Sequence, residues 1–388
     1  MKLIKRFSSL TSTEILFCIR YVFAKFVSLF CSQKKIWLIS ERGVEARDNG
    51  KVFFEYMRLI HPEIDCMYVI NRKGNDYIKM SKYEPYLVQY NSFRHLLLLC
   101  QSSCLISTHV MGYVPCCSLM ASLDKKHNLF RNKKKIFIQH GITFNNQYRL
   151  YSSHVNLDLF TCGGKIEYDY VLENFGYSSD VVKYTGFCRY DNLNDFKCKK
   201  QLLLMPTWRS YIDDSFFEKS QYYLCYKELL CNPVLHNLLA SNGYLLIFYP
   251  HFEIQKHLHS FTELGLPNSI KIAGFEYDVQ TLLKESQCLI TDYSSVFFDM
   301  SYMHKPILFY QFDIDKFEGL HYSKGYLDYS KIGTVCRNID DLLDAINLMF
   351  LESCQMPSQF EEYANQMFEI HDNNNCKRVF NEIVRILE

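Results

Sequence analysis

Residues 288–310, CLITDYSSVFFDMSYMHKPILFY, read as strand, turn, helix and strand in unbroken succession. The run at 288–291 is short and apolar, and Asp292, Tyr293, Ser294 and Ser295 end it with residue types that favour helix N-caps. A helix starting there aims its unpaired N–H groups and the positive end of its dipole beyond the strand, a surrounding that suits a phosphate. The Ser294 and Ser295 hydroxyls add donors, and Asp292 offers an acceptor to a ribose hydroxyl or an amine. A plainer reading uses the same residues, because paired serines ahead of Asp299 also make an ordinary capping box with no ligand. Both readings stand on this stretch alone.

Working outward, the same alternation fills the chain. Apolar runs at 36–40, 66–70, 104–107, 136–139, 159–162 and 181–184 are separated by helix-like segments at 51–60, 92–101 and 165–174. A second set of runs covers 201–205, 244–249, 270–272, 288–291 and 307–310. Alternation of this kind predicts parallel sheets in βαβ units. Between the sets, residues 186–200 are rich in Asn and Asp and lose hydrophobic periodicity, so they form the expected linker. With 388 residues the chain exceeds what one core usually serves. The expected fold is α/β: an N-terminal segment over 1–33, a Rossmann-like domain over 34–190, and a second over 200–388, facing the first across a cleft. His140, Pro206, Pro250 and Asp292 each follow a predicted strand, and ligands bind beyond the carboxyl ends of strands in open parallel sheets.

Composition sets the limits. Hydrophobic residues at 48% and charged residues at 22% exclude wholesale disorder. The net charge of +1 and the lack of a recognised motif argue against nucleic acid as partner. Sixteen cysteines lie scattered in apolar runs without a C-x-x-C pair, which predicts reduced thiols and a cytoplasmic protein. No H-E-x-x-H, spaced Cys/His cluster or Asp-x-Asp pattern is present, so no metal site and no cofactor are expected. Residues 14–31 are apolar but broken by Arg20 and Lys25, and no cleavage site follows. At 100° per residue Glu14, Arg20, Tyr21, Ala24, Lys25 and Ser28 share one side, leaving Leu16, Phe23, Val27 and Phe30 on a broad apolar face, with Lys2, Lys5 and Arg6 ahead. Such a helix either lies in the interface of an anionic membrane or docks on the first domain. The basic run of Lys125, Lys126, His127, Arg131, Lys133, Lys134 and Lys135 is either a solvated loop or an attractor for a polyanionic acceptor or lipid heads.

Two histidines stand at predicted strand ends. His140 precedes Gly141, and its near-neutral pKa suits it to take a proton from an attacking hydroxyl, although a lone histidine is as readily structural. His251 follows Tyr249 and Pro250, whose ring fixes the exit from the strand, and can face a pyrophosphate. Arg209, with Thr207 and Trp208, is either a bidentate phosphate ligand or one half of a surface ion pair.

These segments together resemble the CDP-glycerol glycerophosphotransferases, which build teichoic acids and related capsular polymers. TDYSSVFFD at 291–299 with KPILFY at 305–310 resembles the family signature, and EARDNG at 45–50 resembles the start of its first domain. QHGIT at 139–143 resembles a His-Gly-Thr-Pro motif, PTWR at 206–209 matches Pro-Thr-Trp-Arg, and YPH at 249–251 resembles Arg-Pro-His. Ile142 and Thr143 depart from the usual Thr-Pro, and Tyr249 replaces the usual Arg. The resemblance implies a glycosyltransferase-B type fold, with His140 as catalytic base and His251 also essential. It implies a CDP-linked donor held by Asp292, Ser294, Ser295, Arg209 and Thr207. A polymer or lipid-linked acceptor would meet Glu45, Arg47, Asp48, Asn49 and Gly141, although a helix-start loop with its own ion pairs is an equal reading of residues 45–49. The implied reaction moves a polyol phosphate, foremost glycerol phosphate, and releases CMP at the cytoplasmic face of a membrane, with the protein held there peripherally. Two rivals share these residues: a nucleotide-sugar glycosyltransferase, and a noncatalytic scaffold for envelope assembly.

Overall fold

In the computed structural model, which describes residues 10–31, 35–321 and 325–388, the chain forms two α/β units. The first contains the described residues up to Thr143, then Gln147–Asn192 and Ile370–Glu388; the second contains Phe144–Asn146 and Leu193–Glu369.

The first unit carries a parallel seven-stranded sheet of β1 (Trp37–Ser40), β2 (Cys66–Ile70), β3 (Leu87–Gln89), β4 (Cys104–Ser107), β5 (Lys134–Phe137), β6 (Leu159–Cys162) and β7 (Val182–Tyr184), in the order β3-β2-β1-β4-β5-β6-β7. The second carries a parallel six-stranded sheet of β8 (Gln201–Leu204), β9 (Leu245–Phe248), β10 (Ile270–Ile272), β11 (Cys288–Thr291), β12 (Ile307–Tyr310) and β13 (Thr334–Cys336), in the order β10-β9-β8-β11-β12-β13. Strands such as β1, β4, β8 and β11 are buried at every position, as continuous apolar runs in a parallel sheet must be when helices cover both faces. The strand order reverses once in each sheet, between β1 and β4 and between β8 and β11, which opens a crevice at the carboxyl ends there.

Three features differ from the sequence expectation. Strands β3 and β13 are three residues each and partly exposed, and no run in the sequence expectation covers them. The final helix, Asn375–Leu387, belongs to the first unit and not to the C-terminal domain expected over 200–388. It buries Cys376, Val379 and Ile383 in the cluster of Phe53, Phe54 and Met57, and Asp191 accepts the Asn375 and Cys376 N–H groups at 2.8 and 2.9 Å. Third, the helix after β11 spans only Phe297–Tyr302 and has no side-chain cap, so the 292–295 stretch is a loop and not the first turn of a long helix.

The helix Ser12–Ser28 docks on the first unit, burying Phe17, Tyr21 and Ala24 alongside Leu96 and Leu99 of the helix Phe93–Gln101. The side read as polar is therefore the docked side. Arg20 belongs to that contact, donating to the Asn91 carbonyl at 2.6 Å. Leu16, Ile19, Val22, Phe23, Phe26 and Phe30 are each more than half exposed on the outward side. Lys2, Lys5 and Arg6 lie outside the described residues. No helix among the described residues is long and apolar enough to cross a membrane.

The basic run also resolves. Lys133 Nζ donates to the carbonyls of Cys100 and Ser102 at 2.7 and 2.6 Å, Lys134 pairs with Asp158 at 3.7 Å, and Lys135 forms a buried pair with Asp124 at 2.9 Å. Lys125 donates to the Ser152 carbonyl at 2.8 Å. The lysines of 133–135 thus serve the packing of this unit, and the outward charge is left to Lys126, His127 and Arg131.

Candidate active site

In the first unit the site grows from the end of β5. The chain turns at Gln139, whose φ of +53° is uncommon for a residue with a side chain. Several bonds hold that turn. The Asn49 amide donates to the carbonyls of Ile138 and Gln139 at 3.2 and 2.9 Å, and Gln139 Nε2 donates to the Thr161 carbonyl at 2.6 Å and to Glu167 at 2.9 Å. Thr143 Oγ1 donates to Gln139 Oε1 at 2.7 Å. Glu167 also accepts the N–H groups of Thr143 and Gly163 at 2.5 and 2.7 Å. Burial pushes its carboxyl up to about 7 against these donors. A strained residue fixed from so many directions delivers the next side chain in one orientation, and that side chain is His140.

His140 is an exposed residue whose ring is partly buried where it meets Thr108. Its Nδ1 lies 3.4 Å from the Thr108 carbonyl, which can only accept, so the hydrogen-bond network assigns the proton to Nδ1 and leaves a lone pair on Nε2. Surrounding protein lowers its pKa below the usual imidazole value, and Arg42 and Arg189 add to this; Asp48 and the Thr108 carbonyl pull it back. A neutral imidazole with a free Nε2 is the form a general base requires.

The EARDNG loop is largely committed to its own fold. Glu41, buried, accepts the N–H groups of Arg47, Asp48 and Lys51, the last at 2.7 Å. Burial, followed by the nearby Asp48, raises its carboxyl to about 8 against those bonds. Gly50 is required here, since a Cβ would stand 2.8 Å from the Glu41 Cγ and Oε1. Arg47 pairs with Asp76 at 2.5 Å, Asp48 caps the helix Asn49–Ile60 and pairs with Arg189 at 2.8 Å, and Asn49 is fully buried. Arg189 also donates to the His140 carbonyl at 3.0 Å. Asn49 and Asp48 thus position the His140 turn, a different task from the acceptor contact expected of them. Glu45 is the loop's exposed carboxylate, 3.9 Å from Arg42.

In the second unit, β9, β8 and β11 are neighbours, so His251, Thr207 and Asp292 leave adjacent strand ends. The Thr207 N–H donates to Asp292 Oδ1 at 2.8 Å, and the His251 N–H to the Pro206 carbonyl at 3.3 Å. His251 Nδ1 accepts the Glu253 N–H at 3.3 Å, which assigns the ring proton to Nε2. Burial lowers its pKa, while Glu253 and Asp292 oppose that shift. The two histidines therefore carry opposite tautomers: His140 offers a lone pair at Nε2, and His251 offers an N–H.

Arg209 and Asp292 are fully buried and pair at 2.9 Å. The Arg209 guanidinium also spans Asp313, with Nε to Oδ2 at 2.8 Å and Nη2 to Oδ1 at 3.0 Å, and donates to the Thr207 carbonyl at 2.7 Å. Neither the phosphate ligand nor the surface ion pair describes this arrangement: the Arg209 charge is spent inside the unit, fixing the loops of Thr207 and Asp292. Ser294 and Ser295 are partly exposed, and Thr207 Oγ1, buried, has no protein partner. Lys305 of the signature is likewise structural: its Nζ donates to the carbonyls of Leu283, Lys284 and Ser286 at 2.7 to 2.8 Å, closing the helix Val279–Glu285.

Glu167, Arg189, Asp313 and His109 carry no role in the sequence expectation, and Gln139 stands there only as part of the QHGIT motif. Glu167 had a legible signal, as the third residue of a helix that follows two glycines.

Comparison with known proteins gives the chain's family and its relatives in fold. The family description CDP-glycerol:poly(glycerophosphate) glycerophosphotransferase matches residues 21–385. The minor teichoic acid biosynthesis protein GgaB of Bacillus subtilis (strain 168) is 29% identical over 98% of this chain and 43% of its own length. The teichoic acid glycerol-phosphate transferase of Staphylococcus aureus (strain NCTC 8325 / PS 47) is 24% identical over 90% of both. This chain spans about half the length of the first relatives it matches. Among solved structures, the wall teichoic acid polymerase TagF superposes with a TM-score of 0.64 at 18% identity, over 98% of this chain and 99% of that one. The S. aureus MnaA–UDP co-structure superposes with a TM-score of 0.57 at 14% identity, over 92% and 97%.

Proposed function

Because this chain belongs to the CDP-glycerol:poly(glycerophosphate) glycerophosphotransferase family, we propose that it transfers glycerol phosphate from CDP-glycerol to a hydroxyl of a teichoic-acid-like polymer, releasing CMP. The observation that carries this reading is His140, held just beyond β5 with its Nδ1 facing the Thr108 carbonyl, which leaves Nε2 to take a proton. His140 Nε2 takes the proton of the acceptor hydroxyl as its oxygen attacks the phosphorus bearing glycerol. The bond from that phosphorus to the bridging oxygen breaks, and CMP leaves with the electron pair. The His251 Nε2–H, the hydroxyls of Ser294 and Ser295, and Thr207 Oγ1 donate to the phosphate oxygens as charge moves onto CMP. Asp292 and Arg209 hold Thr207 in place, and Gly141, Glu45 and Arg47 are assigned to the acceptor.

A donor panel tests the reading. Purified protein with acceptor should consume CDP-glycerol and release CMP while leaving UDP- and GDP-sugars intact; release of UDP or GDP instead would make it a glycosyltransferase, and indifference to every donor a scaffold. His251→Ala should lower kcat about 10²- to 10³-fold, the usual loss for one donor to developing charge. His251→Gln, which keeps an N–H donor, should recover part of it. Equal activity in wild type and His251→Ala would remove the residue from the mechanism.

The outward face of Ser12–Ser28 supports peripheral attachment to an anionic membrane on its cytoplasmic side, where a lipid-linked acceptor would be met. Replacing Val22, Phe26 and Phe30 with serine should cut sedimentation with phosphatidylglycerol vesicles at least about tenfold, since each large apolar side chain contributes about 1.5–3 kcal/mol when buried. Unchanged sedimentation would remove the membrane from the account.

A further inference from the structure

We propose that His109 is a positioning residue for His140: a flat ring laid against one face of the base, pinned by Arg42 and Thr108, that fixes the orientation in which the base meets its proton. The inference rests on the assignment of His140 as base.

His109 follows β4, on one side of the point where the strand order of the first sheet reverses. Its ring stacks on that of His140 with centroids 4.3 Å apart and planes 12° from parallel. Its backbone is held at both ends: Ser107 Oγ accepts its N–H at 3.1 Å, and its carbonyl accepts the Gly112 N–H at 2.9 Å. Gly112 is needed for that approach, since a Cβ would meet Ser107 Oγ at 2.4 Å. The ring is pinned as well. Arg42 Nη2 lies 2.7 Å from Nε2, and a guanidinium can only donate, so Nε2 accepts and the proton sits on Nδ1, 2.9 Å from Thr108 Oγ1. Protonating Nε2 would set two cations against each other, so His109 stays neutral; burial, His140 and Arg42 hold its pKa down near 2. Thr108 serves both rings, its hydroxyl facing His109 and its carbonyl facing His140.

A neutral, immobile ring against His140 has two consequences. It keeps water from one face of the imidazole, which disfavours imidazolium, and it blocks the rotation that would swing Nε2 away. The charged groups around His140 are Asp48, Arg42 and Arg189. Removing His109 exposes that face, better solvates the protonated form, and raises the His140 pKa toward its ordinary value of about 6.5. A base acts when deprotonated, so the acid limb of the rate profile moves to higher pH.

The test compares wild type, His109→Ala and His109→Phe by NMR titration of 13C-labelled histidine, with His140→Ala to assign the signal, alongside kcat and KM for CDP-glycerol against pH. In His109→Ala the His140 midpoint and the acid limb should both rise by about half a pH unit or more, and kcat should fall about tenfold to a hundredfold with KM for donor within about twofold. His109→Phe restores a flat ring without the Arg42 contact and should keep midpoint and limb near those of wild type. An unmoved midpoint in His109→Ala, or a loss in His109→Phe as large as in His109→Ala, would overturn the proposal. If wild type turned over no CDP-linked donor while the midpoint still moved, the pairing would stand and the functional reading would fall.

Discussion

Replacing His140 with alanine is expected to slow CMP release from CDP-glycerol by about 10²- to 10⁴-fold, the range a positioned general base contributes. The loss should appear in kcat and not in donor affinity, because the donor-binding groups proposed here lie in the second unit, on Ser294, Ser295, Thr207 and His251. Donor binding, measured by calorimetry with CDP-glycerol, should therefore survive. The lowered pKa of His140 adds a sign. The group works deprotonated, so activity should be level across neutral pH and fall only below the ordinary histidine range. Activity that rises as pH drops from 7 to 6 would assign His140 to an acid's role instead.

Arg209→Met should strongly destabilise the second unit. Asp292 and Asp313 would be left buried without their cation, and breaking a buried pair by removing one partner costs about 3–5 kcal/mol. The chain has two tryptophans, Trp37 in the first unit and Trp208 in the second, so a Trp37→Phe background follows second-unit unfolding by fluorescence. A change under about 1 kcal/mol would mean the network contributes nothing to stability. The same network sets an acid sensitivity. Burial alone would raise the Asp313 carboxyl, but its bonds to Arg209, Tyr211 and Tyr293 outweigh burial and hold it below the usual carboxylate range. A group with a depressed folded pKa stabilises above its unfolded value of about 3.9 and loses that contribution as pH falls through the folded value. Second-unit stability should therefore decline in that acid window, and Arg209→Met should abolish this part of the decline.

Much of the fold was readable before any coordinates. Parallel strands buried on both faces must be continuous apolar runs, and β4, β6, β11 and β12 lie where those runs place them. Of the candidate site, the sequence shows four motifs just beyond strands, where α/β sheets bind ligands. How each polar side chain is spent was not readable. Arg209 and Asp313 are separated by 104 residues, and Asn49 and Gln139 by 90, so nothing local tells a ligand contact from an internal tie. His109 escaped for another reason. It follows the strand at 104–107 as His140 follows the next one, but no motif marks it.

The central claim is that the acceptor oxygen attacks the phosphorus bearing glycerol, with His140 taking its proton. CDP-glycerol labelled with 32P at that phosphorus, incubated with the protein and an acceptor polymer, tests it most directly. The label should pass to the polymer in one-to-one proportion with CMP. Label retained in released CDP, with unlabelled polymer, would place bond breaking at carbon and contradict the account.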